Sequence, residues 1–303
     1  MTAHFHPTQI LLKDLVALRK KADLFLLPET GKKAFTGSGN TFSPFKSRGL
    51  DFQEVRVYQP GDDIRQIDWH VTAKYGKPFT KLYTEEKERT VFFVVDLRSS
   101  MFFATHGAFK AVIAARLTAF MAFIAEHQHD KIGSLLLTDN GILTSGDCDT
   151  NALTPLLNQM TNPDKFKATA GGLDKAIRLL GQMIPAGSFV FFFSDFHDFT
   201  EQHLILLSRF SEKNTFLFCS IYDQLEANLP QDTLPFSDGK SNLVVSALND
   251  KMRQKFHAQW QNQQAVIQKA AQKYGWGYLP IPTDSDYLNE LIRFCFGKGG
   301  VHG

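Results

Sequence analysis

Cysteine is scarce in this chain of 303 residues: only Cys148, Cys219 and Cys295 occur, none in a CxxC pair. That excludes a disulfide framework and gives no support to a thiolate zinc site. Charge of one sign is also missing, and a formal net charge of +2 leaves no electrostatic footprint for nucleic acid. No apolar run reaches the ~20 residues needed to cross a bilayer, so no transmembrane segment is expected. The opening MTAHFHPTQILLKDLVALRK has no basic leader followed by an unbroken apolar core, and so does not read as a signal peptide. A GxxxxGK[ST] loop is absent, which means this chain is not itself a P-loop ATPase. A cytoplasmic protein with reduced thiols and no resident cofactor is the reading these absences favour.

Phenylalanine, in contrast, is abundant: twenty-eight are present, most of them inside apolar runs, which points to an aromatic-rich core. Residues 91–95, 188–194 and 215–222 are strongly apolar segments of strand length. Such runs mark strands covered on both faces, as in a parallel sheet. Each is followed by, or ends on, an aspartate: Asp96, Asp195 and Asp223. Helical spacing predicts helices over about 8–26, 107–127, 151–160, 171–184, 200–211, 250–273 and 284–295, the second carrying one apolar stripe from Phe109 to Ile124. Further strands are expected at 132–138 and 276–281, and Asn140-Gly141 suits the tight turn of a hairpin that makes one sheet edge antiparallel. Asp238-Gly239 suggests a second hairpin. The fold class is therefore α/β, a doubly wound and mostly parallel sheet, preceded by a small N-terminal helix and a β-rich segment. In such sheets ligands meet the carboxyl ends of the strands, which places Asp96 and Asp195 on the functional rim. Asp223 reads instead as a turn carboxylate that caps backbone amides.

Between Arg48 and Asp68 every cation is an arginine (Arg48, Arg56, Arg65), set among Asp51, Glu54, Asp62, Asp63 and Asp68. Arginine's planar fork pairs with carboxylates at two points, so this block reads as a fixed ion-pair lattice. The order Arg-Gly-Leu-Asp-Phe at 48–52, then Arg56, Tyr58, Pro60-Gly61-Asp62-Asp63, Arg65, Ile67-Asp68-Trp69, Thr72-Ala73-Lys74, Lys81 and Glu85-Glu86 resembles the signature of the family called domain of unknown function fifty-eight. The resemblance covers roughly 45–295. It implies a von Willebrand factor A-like C-terminal part and a partnership with MoxR-type AAA+ ATPases. It also implies kinship with a short form lacking the N-terminal hydrophobic segments of many members. The domain division expected from it is 1–88 for the helix and signature segment, 89–297 for the von Willebrand-like domain, and 298–303 for a flexible tail.

Von Willebrand A domains that bind magnesium use Asp-x-Ser-x-Ser after the first core strand, a threonine on a second loop and an aspartate on a third. Here the first motif reads Asp96-Leu97-Arg98-Ser99-Ser100, so arginine replaces the first hydroxyl, and the threonine position falls near Gly171, with Thr169 two residues out of register. Asp96, Ser100 and Asp195 survive. A guanidinium among the ligands repels a divalent ion and can neutralise carboxylates itself, which favours a degenerate, metal-free site held by Arg98; weak Mg²⁺ binding is the alternative. His127-Gln128-His129-Asp130 reads as a helix end. His197 and Asp198 imitate a metallohydrolase cluster, but no second histidine has supporting spacing. Two functions follow: a non-enzymatic protein-binding or scaffold module, and, as the other reading, a metal-dependent hydrolase using the aspartate-rich rim.

Overall fold

The computed structural model describes residues 5–26, 52–59, 62, 64–83, 89–231, 233–237, 242–246 and 249–297. Its chain divides into a small unit, Ser43–Glu88, and a large unit made of Met1–Phe42 with Arg89–Gly303. Arg48, Asp63, Glu85, Glu86 and the tail after Gly297 lie outside the described residues.

The helix expected over 8–26 is two short ones, α1 (Leu12–Val16) and α2 (Arg19–Ala22). They part because the backbone tightens between them: Leu18 N–H donates to Leu15 O and Lys21 N–H to Leu18 O, three residues back instead of four. The apolar stripe survives the break, and Leu15, Leu18, Ala22 and Phe25 are all buried in the large unit's core. This N-terminal helical pair therefore groups with the large unit, whereas the sequence division had placed it with the charged segment.

In the small unit β1 (Phe52–Val57) pairs antiparallel with the second strand, and helix α3 (Trp69–Tyr75) lies between them in sequence. That second strand is β2 (Phe79–Tyr83), in a register that sets Val57 opposite Phe79 and Val55 opposite Lys81. Asp68 starts α3 by accepting the N–H groups of His70 and Val71 at 3.0 and 3.1 Å.

The large unit is built on strands with two apolar faces. In β3 (Thr90–Asp96), Val91, Phe93 and Val95 enter one core and Phe92 and Val94 the other, the period of two that a pleated strand dictates. Helix α4 (Lys110–His127) leads to β4 (Lys131–Thr138) and the antiparallel β5 (Gly141–Thr144), which closes the edge through the predicted turn. Helices α5 (Leu153–Thr161) and α6 (Leu173–Met183) precede β6 (Phe189–Ser194), where Phe189, Phe191 and Phe193 alternate with Val190 and Phe192 between the two cores. After α7 (Glu201–Ser211) comes β7 (Thr215–Tyr222), whose Phe218 stacks on Phe192 with ring centroids 4.8 Å apart. A short α8 (Gln224–Ala227) leads to a separate hairpin, β8 (Thr233–Ser237) with β9 (Asn242–Ser246); its predicted Asp238-Gly239 turn lies outside the described residues. Helix α9 (Asp250–Tyr274) stops at Gly275, whose φ of 71° is the left-handed conformation that glycine adopts without penalty. Strand β10 (Gly277–Pro282) and helix α10 (Tyr287–Phe296) finish the chain.

Strand order is β10-β7-β6-β3-β4-β5, parallel except for β5. Residues of α4, α5, α10 and the N-terminal helices pack in one core, and those of α6, α7 and α9 in the other, so the sheet is doubly wound. Helix α4 differs from its expected single stripe, since every residue from Lys110 to Ala125 is buried. Its core also takes in side chains of α1, α2, α5 and α10, which leaves no face for solvent.

Candidate functional site

Chain order reverses between β3 and β6: the connection from β3 leads to β4 on one side, and β6 returns on the other. Loops leaving two adjacent parallel strands toward opposite faces open a crevice at their carboxyl ends. Asp96 ends β3, and Ser194 to Asp198 leave β6.

Asp96 is wholly buried and accepts from four donors. The Arg98 backbone N–H reaches its Oδ1 at 3.1 Å and the Arg98 Nε the same atom at 2.9 Å. Arg98 Nη2 and Ser194 Oγ take Oδ2 at 2.6 and 2.8 Å. The same guanidinium carries a second fork: Nη1 donates to Asp198 Oδ2 at 2.5 Å and Nη2 to Asp198 Oδ1 at 3.1 Å. Hydrogen bonding to Asp96, reinforced by Asp198, holds Arg98 charged against the cost of its burial. Burial alone would raise the Asp198 carboxyl, but Arg98 outweighs it and keeps the group ionised.

Asp195, expected to share Arg98 with Asp96, has a different cation. Lys110 Nζ lies 2.8 Å from its Oδ2 and 2.5 Å from Glu226 Oε1, and the lysine side chain has no solvent exposure. A cation this deep costs several kcal/mol to desolvate, in order-of-magnitude terms, and stays charged only with close carboxylates. Desolvation does pull the Lys110 ammonium down; Asp195 and Glu226 overcome it and leave it raised. Asp195 is in turn held well below the carboxylate range, burial being outweighed by hydrogen bonding from His197 and the charge of Lys110. His197 Nδ1 sits 3.0 Å from Asp195 Oδ1, and that bond raises the imidazole's affinity for its proton. The two residues that imitated a hydrolase cluster thus go separate ways, His197 to Asp195 and Asp198 to Arg98.

The next carboxyl-end loop joins through the same lysine. Glu226 Oε2 accepts the Asp223 N–H at 2.9 Å, completing a capping box at α8. Asp223, fully buried, binds Thr105 N–H and Thr283 Oγ1 at 2.7 Å each and Leu225 N–H at 2.9 Å. It is the capping carboxylate the sequence indicated, and it also ties together the loops before α4 and after β10. Asp139, from the β4–β5 turn, accepts the Ser99 N–H at 3.0 Å.

Phe196 holds a φ of 53° although its ring is completely buried. A bulky residue in the left-handed region costs roughly 1–3 kcal/mol and persists only where its surroundings enforce it. Here Gln263 Nε2 binds the Phe196 carbonyl at 2.9 Å and Ser194 Oγ accepts the Phe196 N–H at 3.0 Å. This bent backbone delivers His197 and Asp198 to the crevice.

Ser100 Oγ is buried and has no hydrogen-bond partner, while Thr169 is exposed and pairs through its backbone with Ile142. Among the described residues no three His, Cys, Asp or Glu side chains gather as a metal-ligand group. In the small unit Arg56 and Asp62 pair at 2.6 Å, and Asp62 also accepts the Gln59 N–H, which with Arg56 lowers its pKa. The Asp68 carboxylate also caps α3. Tyr58 joins its backbone N–H to Pro78 O at 2.8 Å, Lys74 Nζ lies over the Tyr75 ring, and Arg65 and Trp69 are exposed.

Lys110 and Glu226 were not singled out from the sequence. A signal existed: Lys110 and Arg116 are the only two lysines or arginines in an otherwise apolar helix, and charges buried there require partners. Arg116 behaves the same way, donating to His6 O at 2.7 Å and Tyr287 Oη at 2.9 Å, with Asp14 3.9 Å away.

The family described as "Protein of unknown function DUF58" matches residues 54–266. Uncharacterized protein Rv1480 of Mycobacterium tuberculosis and uncharacterized protein Mb1516 of Mycobacterium bovis are each 25% identical over 300 residues, covering 97% of this chain and 94% of theirs. A solved structure, an aerotolerance-related membrane protein from Bacteroides fragilis with multiple mutations to serines, aligns at 14% identity and a TM-score of 0.36, covering 61% of this chain and 99% of that one. No described helix of the present chain is long and apolar enough to cross a membrane.

Proposed function

Since the chain belongs to the DUF58 family, whose molecular task is unassigned, we propose that it is a non-enzymatic protein-binding module docking through the β3/β6 rim. The observation that carries this reading is the way the rim's carboxylates are used. Both Asp96 oxygens and both Asp195 oxygens are already engaged by donors of the protein itself. Arg98 and Lys110 stand where a divalent ion would have to compete, so the rim is metal-free and its acids are poor general bases. A network that joins the loops after β3, β4, β6, β7 and β10 gives a pre-ordered surface, which lowers the entropic cost of docking.

The partner class comes from the family resemblance: an AAA+ ATPase of MoxR type, met in the cytoplasm, with this chain acting in the assembly or activation of other complexes. A pull-down of the full chain with such an ATPase, in ATP and in ADP, tests the proposal. Phe102→Ala and His197→Ala, both on rim loops, should weaken capture while circular dichroism stays native. Charge reversal at Asp62, Asp63 and Arg65 tests the signature segment as the competing contact. Capture that no rim variant alters would remove the rim from the account. Phosphatase or peptidase activity lost in Asp96→Ala would establish the hydrolase reading instead.

A further inference from the structure

The two forks of Arg98 are not equivalent. Its inner carboxylate, Asp96, is fully buried and is also fixed by Ser194 Oγ and by a backbone N–H. Its outer carboxylate, Asp198, keeps 32% of its side chain exposed, and both of its side-chain hydrogen bonds come from the Arg98 guanidinium. Asp96 would stay in place if Arg98 lost its outer partner. Beyond that guanidinium, the Asp198 carboxylate is held by the charge of the neighbouring His197 and by its own backbone N–H, both weaker than the group a competitor would take.

We propose that Asp198 is an internal stand-in for an acidic side chain of the protein partner, and that docking exchanges the Asp198 carboxylate for an incoming Asp or Glu carboxylate on the outer fork of Arg98. This rests on the rim being the docking face. The planar guanidinium, already aligned by Asp96, offers two parallel N–H donors at the geometry a second carboxylate needs. The exchange trades one two-point contact for another, so the buried charge of Arg98 is never left without its outer carboxylate. No bond is broken other than these hydrogen bonds. The cost to the partner is the fraction of time Asp198 covers the site, which reduces apparent affinity by that fraction.

The direction of a single substitution decides the matter. Removing Asp198 frees the outer fork, so Asp198→Ala and the closer isostere Asp198→Asn should strengthen binding by an acidic ligand, whereas a contact residue would weaken it when removed. Acetate is the probe, titrated into ¹⁵N-labelled full chain while the Arg98 Nη–H resonances, those of the outer fork, are followed. Either variant should show a saturable shift at an acetate concentration about tenfold below that needed by the wild type, as expected if Asp198 covers the fork roughly nine-tenths of the time. Chloride at equal ionic strength should give no saturable shift. Equal titrations in wild type and both variants, or no saturable response in any of them, would overturn the proposal. With the ATPase, the same variants should bind about tenfold tighter. Weaker binding would show Asp198 to be a contact residue and refute the exchange. Failure of every form to capture the ATPase would sink the partner assignment and leave the acetate result to judge the exchange on its own.

Discussion

Lys110 and Asp195, separated by 85 positions in sequence, meet at 2.8 Å with the lysine side chain entirely out of solvent. This contact joins the first turn of α4 to the loop leaving β6, and through Glu226 it reaches the loop after β7. It puts a fixed cation under the crevice.

Lys110→Met should therefore destabilise the protein by about 3–5 kcal/mol, because it leaves the buried Asp195 without its cation. The double variant Lys110→Met with Asp195→Asn should recover part of that loss. A thermodynamic cycle from denaturant unfolding measures the coupling. A loss under about 1 kcal/mol for the single variant would place the pair in solvent.

His197 should titrate above the ordinary histidine value, since its bond to Asp195 favours the imidazolium. Its contribution to stability is then full below the unfolded pKa of about 6.5 and fades as pH rises through the folded value. Asp195 works in the opposite direction: its depressed folded pKa gives stability above about pH 4 that is lost as pH falls through that folded value. The NMR titration of the His197 ring reports the first effect directly, and Asp195→Asn should bring its midpoint down. A midpoint unmoved by Asp195→Asn contradicts the pairing.

Arg116 is buried against the N-terminal segment, its guanidinium 4.8 Å from the Phe5 ring centroid. Arg116→Met should cost about 1.5–3 kcal/mol through the lost charged hydrogen bonds. Limited proteolysis should then cut first within residues 5–26. Unchanged protection of that segment would show that the apolar stripe of Leu15, Leu18, Ala22 and Phe25 alone docks it.

Arg56→Ala should shift the melting temperature only slightly, because the Arg56 and Asp62 side chains keep 35% and 19% of their surface in solvent. Differential scanning calorimetry checks this. A large drop would mean that the pair is covered in solution.

Most of the sheet was legible because strands apolar on both faces stand out: 91–95 and 215–222 lead to Asp96 and Asp223 with little ambiguity. Asn140-Gly141 likewise fixed the antiparallel edge. The tightening at Leu18 was not legible, since Leu15, Leu18, Ala22 and Phe25 bury the same stripe with or without the break. The rim aspartates were legible by position, but their cations were not. Arg98 and Asp198 lie 100 residues apart, and the pairing of β3 with β6 together with the bent backbone at Phe196 brings them together. Nothing local in the sequence announces that bend. The assignment of Asp195 to Lys110 depended on reading each of the two buried cations in α4 as a demand for a partner.

The most direct test of the central claim, that Arg98 and Lys110 serve the rim carboxylates in place of a metal, is calorimetric titration of the full chain with Mg²⁺ and Mn²⁺. The account predicts no saturable heat through the millimolar range for the wild type, and a measurable but weak response for Arg98→Ser. A micromolar dissociation constant for either ion in the wild type would contradict it.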